Sequence, residues 1–291
     1  EEALANDPTS ALAHAALGQG YMELVHSVLP RMEAIKRGRA AIEKAVELDP
    51  TLAEAHLALG LLQFYGDWDF EAAKLSLQQA LNLNPSLSDA WYHWAWWLEL
   101  MGDDGEAIAA GEKTIELSPL SSFYVAWLAD QYRDAGQYGK AVELAESVLA
   151  LNPNYPVGWF VLGNVFAEQD KFEDAISAHG HLEDIPFWAW ALATTYARAG
   201  QPEKALEIAA TYESRASNAI PLAAIHAALG DVDQTVYWSQ QAREKQLPWA
   251  AGLFSYFTPT RSLYEDPRIQ AEAALYPTPL IPFPKAVEAS D

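Results

Sequence analysis

The sequence predicts an all-α chain, a solenoid of antiparallel helix pairs, and three observations lead there. Two consecutive units, Ser86–Pro119 and Leu120–Pro153, are each 34 residues long and each closes on a proline. Each carries a mid-unit glycine, Gly102 or Gly136, with an alanine five residues later, Ala107 or Ala141. Apolar residues recur at i, i+3, i+4 and i+7 on either side of those glycines, the mark of amphipathic helices. A fixed period with small residues at fixed offsets indicates stacked repeats. Neither helix of a pair can bury its stripe alone, so the units must pack on one another.

The rest of the chain follows the same plan. EEALANDP at the start matches the end of a repeat's second helix, as in KAVELDP closing at Pro50. Glu1 therefore reads as lying inside a repeat, with more protein expected before it. The next unit runs from Pro8 to Pro50, longer than the standard period, with the extra residues near HSVLPRMEAIKR. An elongated turn or longer helices are expected there, because Pro30 interrupts or starts a helix. Later units reach Pro85, Pro119, Pro153 and about Pro186, and two degraded ones turn at Gly200 and Gly230. Fourteen helices are predicted, over 9–26, 33–49, 53–65, 70–83, 86–101, 104–117, 121–135, 138–151, 156–169, 172–183, 186–199, 202–214, 217–229 and 232–245. Gly102, Gly136, Gly200 and Gly230 are expected as helix C-caps. Gly18, Gly60 and Gly163 sit where paired helices approach, as do Ala95, Ala129 and Ala193.

The period and these offsets resemble the tetratricopeptide repeat, which implies a right-handed superhelix. Leu17-Gly18-Tyr21, Leu59-Gly60 and Trp159-Leu162-Gly163 carry the resemblance. GDWDFEAA at Gly66–Ala73 and the later SLYEDPRIQ narrow it to the C-terminal repeat regions of bacterial signalling proteins. There the array follows a winged-helix, nucleotide cyclase or kinase domain. None of those domains is present, so their activities do not carry over. The expected organisation is a repeat array over 1–246, a capping segment over 247–275 and a Pro-rich tail over 276–291. The aromatic cap is placed to cover the exposed end of the stack, and the tail is expected to be extended or disordered, or to dock back through Leu280, Ile281 and Phe283.

Composition narrows the function. The formal net charge is −22, which repels nucleic acid and anionic membrane surfaces. A cationic or neutral partner is favoured. Cysteine is absent, which removes disulfides and thiolate sites and tilts the compartment slightly toward the periplasm. No apolar run is long enough to span a bilayer. No phosphate loop, HExxH or GxSxG is present, so neither a catalytic residue nor a cofactor is expected. His179 and His181 form the one close histidine pair, and Asp67 and Asp69 flank Trp68; both read as helix-end chemistry rather than metal sites.

The aromatic load, 11 Trp, 13 Tyr and 10 Phe, is the informative feature. Trp91 and Trp159 are assigned to the core, and Trp94, Trp97 and Trp188 toward helix neighbours. The resemblance implies a concave face lined by set positions of each first helix. On this chain those positions are Phe64 and Tyr65; Asp89, Tyr92, His93, Trp96 and Glu99; Phe123, Trp127, Asp130 and Arg133; Phe160 and Asn164; Phe187, Trp190 and Thr194. Such an aromatic, acidic stripe suits a peptide or protein segment, with a small ligand as the alternative. Coverage of these rings by a tight superhelix or by the C-terminal segment is the competing expectation.

Overall fold

A computed structural model describes residues 2–24, 31–213, 218–247 and 249–281. Among them every regular element is helical. The chain forms two compact units, Glu1–Trp97 and Leu98–Asp291.

The first unit contains α1 (Glu2–Asn6), α2 (Ala11–Leu24), α3 (Arg31–Leu48), α4 (Ala53–Leu61), α5 (Phe70–Leu83) and most of α6 (Ser88–Leu100). Helices α2 and α3 pair, as do α4 and α5, and α2 also lies beside α4. A Cβ on Gly18 would stand 2.3 Å from Ile42, and one on Gly60 3.1 Å from Leu77, so these pairs close only because the side chain is absent. Part of the enlarged unit's extra length lies in α3, which runs for 18 residues; the elongated turn expected around Pro30 lies outside the described residues. Helix α4 continues as a π-helical stretch, Leu62–Asp67, where the sequence predicts α-helix, and it stops at Trp68 in the left-handed region with φ 58. Arg31 donates to the carbonyls of Tyr65 and Gly66 at 2.7 and 3.3 Å, answering acceptors the helix end leaves open. Asp69 caps α5 by accepting from the Ala72 N–H, and Asp67 pairs with Arg39.

The second unit carries α7 (Asp104–Leu117), α8 (Ser122–Asp134), α9 (Tyr138–Leu151), α10 (Pro156–Glu168), α11 (Phe172–Gly180), α12 (Ala189–Arg198), α13 (Pro202–Tyr212), α14 (Ala219–Ala228) and α15 (Val232–Glu244). Pairs α8/α9, α10/α11, α12/α13 and α14/α15 stack in order, with each first helix beside the next. The four turn glycines have φ between 73 and 83, as their C-cap role requires. Asp170 takes the same left-handed conformation without a glycine, at φ 59.

One joint repeats along the chain. The indole N–H groups of Trp91 and Trp159 donate to the carbonyls of Pro85 and Pro153, six residues earlier, at 2.8 and 2.7 Å. His14 and His56 make the same bond through Nε2 to Pro8 and Pro50. This position ties the start of one repeat to the end of the previous one. Trp91 and Trp159 are consequently half-buried rather than core, because their indole edges must reach the inter-repeat turn. Trp97 is buried and donates to the Phe70 carbonyl at 3.0 Å, with Trp94 stacked on it at 5.2 Å.

After α15 come a 3-10 turn (Ala250–Gly252), α16 (Thr258–Arg261) and α17 (Pro267–Ala273), all within the second unit. Helix α17 packs on α15, where Arg243 meets Glu272 at 2.8 Å and the Tyr276 hydroxyl donates to the Ser239 carbonyl at 2.6 Å. Residues 276–281, expected to be extended or disordered or else to dock back, are packed: Tyr276 and Thr278 are buried, and the Ile281 N–H donates to the Phe254 carbonyl at 3.2 Å. Residues 282–291 lie outside the described residues.

Candidate partner-binding groove

The groove residues predicted in the first unit form an aromatic cluster. Phe64 and Tyr65, on consecutive residues of the π-helical stretch, are both buried. Phe64 lies 4.7 Å from Phe70, and Tyr65 stands 6.3 Å from His93, edge to face. Tyr92 is 4.8 Å from His93. Asp89 accepts a long hydrogen bond from Gln19, at 3.5 Å. Trp96 is buried. Burial pushes His93 down to about 4 against the opposing pull of Asp89, so its ring is neutral at pH 7. Burial likewise raises the Tyr65 phenol.

In the second unit the predicted positions fall along one face of α8, α10 and α12, at spacings of three and four residues. Helix α8 supplies Phe123, Trp127, Asp130 and Arg133; α10 supplies Phe160 and Asn164; α12 supplies Trp190 and Thr194. Phe187 precedes α12 and is exposed, as is Phe123. Phe160 is buried, 5.7 Å from Trp190.

This face is occupied by the chain's own residues. Trp249 stacks on Trp127, with ring centroids 6.2 Å apart and planes 17° from parallel. Phe257 lies 5.5 Å from Trp190. The Tyr256 hydroxyl donates to Asp130, and its ring sits under the Arg133 guanidinium. Thr258 donates to Glu168 at 2.9 Å, and Arg261 donates to Asp134 at 2.6 Å. Gly252 packs against Leu100, where a Cβ would come within 2.9 Å.

Beneath these contacts lies a buried charge network. Arg133 reaches Asp130 at 2.7 Å and Glu168 at 2.8 Å. Burial alone would pull its guanidinium down, but Asp130, Glu168 and Asp134 together outweigh that and hold it charged. Carboxylates are in excess: Glu99, Asp130, Asp134 and Glu168 face Arg133 and Arg261. Glu99 bears the consequence. Burial, then Asp134 and Asp130, raise its carboxyl well above the usual range, and its Oε1 has no hydrogen-bond partner. Burial and Asp134 likewise raise Asp104 to about 6. A small recess beside the network, with about 30 Å³ of room, is lined by Phe160, Asn164, Trp190, Thr194 and Tyr256–Pro259, among others.

The sequence-based positions include Asp130 and Arg133 but not Asp134, the next residue on α8, or Glu168, one turn beyond Asn164 on α10. The same reading gave Trp249, Tyr256 and Phe257 a capping role and Arg261 none. His179 and His181 do not converge. His179 is buried between Thr195 and the Phe160 carbonyl, while His181 stacks on Trp159 at 3.8 Å.

Stacked helix pairs with a lined inner face define a helical-repeat protein. The tetratricopeptide repeat family matches residues 124–165. That match spans little more than one repeat, and the period and helix pairs elsewhere in the chain agree with the same repeat fold. A tetratricopeptide repeat protein from Parabacteroides merdae superposes over 90% of this chain and 98% of its own, at 12% identity and a TM-score of 0.59. Cut9–Hcn1, an APC/C hetero-tetramer, covers 83% of this chain and 48% of its own at 16% identity, TM-score 0.58. PilW, a type IV pilus biogenesis factor, covers 89% and 97% at 17% identity, TM-score 0.50. At such identities the likeness is one of fold. No curated protein sequence matches the chain. Among the described residues no helix is long and apolar enough to cross a membrane.

Proposed function

We propose that the chain is a non-enzymatic scaffold that binds a protein partner through the inner face of its second unit, taking up a neutral or cationic segment. The observation that carries this reading is that the face already holds a peptide segment, by a ring stacked on Trp127, a tilted ring against Trp190 and a buried ion pair to Asp134. Large rigid rings of this kind dominate binding energy in protein interfaces. Excess carboxylate disfavours an anionic partner.

The test is photocrosslinking in the native cell, with a benzoyl-phenylalanine at Phe123 or at Phe187, both exposed at the margin of the face. One protein should be captured from both positions and not from Leu206, an exposed residue on the second helix α13. Equal capture from all three positions, or none from the first two, rejects the reading.

A further inference from the structure

Residues 249–261 meet the inner face as a ligand would. The contacts follow a short pattern: Trp249 on Trp127, then Tyr256 and Phe257 on Asp130 and Trp190, then Arg261 on Asp134. Arg261 is 2% exposed, so its guanidinium is wholly committed to the groove and to the Ile281 carbonyl at 3.1 Å. The segment is also held at both ends outside the groove. It follows directly from α15, and α17 packs back on the same helix through Arg243–Glu272. It is therefore a loop with both ends anchored on α15, and its middle is packed as well: Phe254 is fully buried, α16 lies against α14, and the Thr278 hydroxyl and Ile281 N–H donate to the Ala251 and Phe254 carbonyls.

Removing Arg261 would leave Glu99, Asp104, Asp130, Asp134 and Glu168 around Arg133 alone. The Glu99 carboxylate already has one buried oxygen without a partner. An emptied groove therefore demands a cation at the same point, flanked by the same two tryptophan surfaces.

We infer that the groove recognises a partner segment with the chemistry of residues 249–261 — a tryptophan, an aromatic pair seven residues on, and an arginine four residues beyond — and that the chain's own loop is the competitor this partner displaces. The inference rests on the binding reading above and adds the identity of the recognised side chains. A tethered competitor acts at an effective concentration near millimolar, so the intact chain binds such a partner far more weakly than the groove alone can.

The probe is a fluorescent synthetic peptide with the sequence of residues 247–264, titrated into the full chain and into its Arg261→Gln variant. The variant is expected to bind at least tenfold more tightly than the wild type, and a peptide carrying Arg261→Glu should bind neither. A folded variant that binds the peptide no better than wild type overturns the inference. Should Arg261→Gln fail to fold, hydrogen exchange of the wild-type chain decides. Amides of 253–261 opening at lower free energy than α10 support displacement, and opening only with α10 overturns it. Light scattering that shows paired copies exchanging this loop also overturns it, since the occupant is then a second copy. Tight peptide binding without a crosslinked protein would instead leave this inference standing and reject the scaffold reading.

Discussion

Arg261 Nη1 lies 2.6 Å from Asp134 Oδ1 across 127 residues of chain, and the two side chains are 2% and 4% exposed. Repeat arrays are built from contacts between neighbours. This pair is the opposite, joining the segment after the last repeat to the end of α8.

Breaking a buried pair costs more than the pair is worth, since the abandoned charge stays buried. Arg261→Met is expected to lower stability by about 3–5 kcal/mol. Asp134→Asn should cost less, because it relieves the surplus of carboxylate around Glu99. Urea unfolding of both singles and the double variant gives the coupling. Additive losses would show that the two groups do not act as a pair.

Glu99→Gln is expected to stabilise the protein at pH 7. The folded-state carboxyl titrates well above its ordinary 4.5. Its contribution is therefore complete below the unfolded value and is lost as pH rises toward the folded one. The amide removes that loss. Melting at pH 4 and pH 7 should show a gain for the variant at pH 7 that shrinks at pH 4; a lower Tm at pH 7 would mean the charged form is wanted.

His179 gives the reverse sign. Burial depresses its imidazole from 6.5 to about 4 despite the carbonyl of Phe160. The stability it supplies is present above pH 6.5 and lost as pH falls toward 4, by up to about 3 kcal/mol. His93, also near 4, adds to the same window. A histidine NMR titration in which both rings protonate near 6.5 in the folded protein would contradict this.

Gly163→Ala should destabilise through the same histidine. A Cβ there would stand 2.1 Å from the His179 ring, which is fixed by Thr195 and the Phe160 carbonyl. Overpacking at a site that cannot yield costs about 1–3 kcal/mol or more. Gly20→Ala, with nothing within 4 Å, is the control and should be neutral or stabilising. Equal melting of the two variants would show that the ring moves aside.

Trp96→Ala is expected to cost about 3–5 kcal/mol, since the ring is 5% exposed. Trp91→Ala should cost less, the ring being half-buried and its main service the bond to the Pro85 carbonyl. Chemical unfolding of both checks the order, and a larger loss at Trp91 would reverse the assignment.

The helices were legible because their signals are local. Period, turn glycine and closing proline lie within one repeat, so Gly102 and Gly136 could be given C-cap roles from a few neighbours each. The π-helical stretch was not, since Leu62–Asp67 has ordinary helical composition and its extra residue is supported by Arg31, far back in the chain. Coverage of the groove by the C-terminal segment was the competing expectation, but its polar pairings were not legible, for a related reason. Nothing in YFTPTR announces that Tyr256 and Arg261 belong with Asp130 and Asp134. The aromatic composition after the last repeat suggested a cap, and α17 on α15 shows packing of that sort, but a cap needs no arginine.

The loop over the inner face also sets an order of events during synthesis. Asp134 leaves the ribosome 127 residues before Arg261. At about 5–20 residues per second, that is an interval on the order of 6–25 s. Helix pairs close in far less time, because their contacts are near in sequence. Every newly made chain therefore passes through a period in which α8 and α10 are assembled and the segment that covers them does not yet exist. A partner stationed at the ribosome meets no competitor then, whereas one that arrives later must open a closed protein.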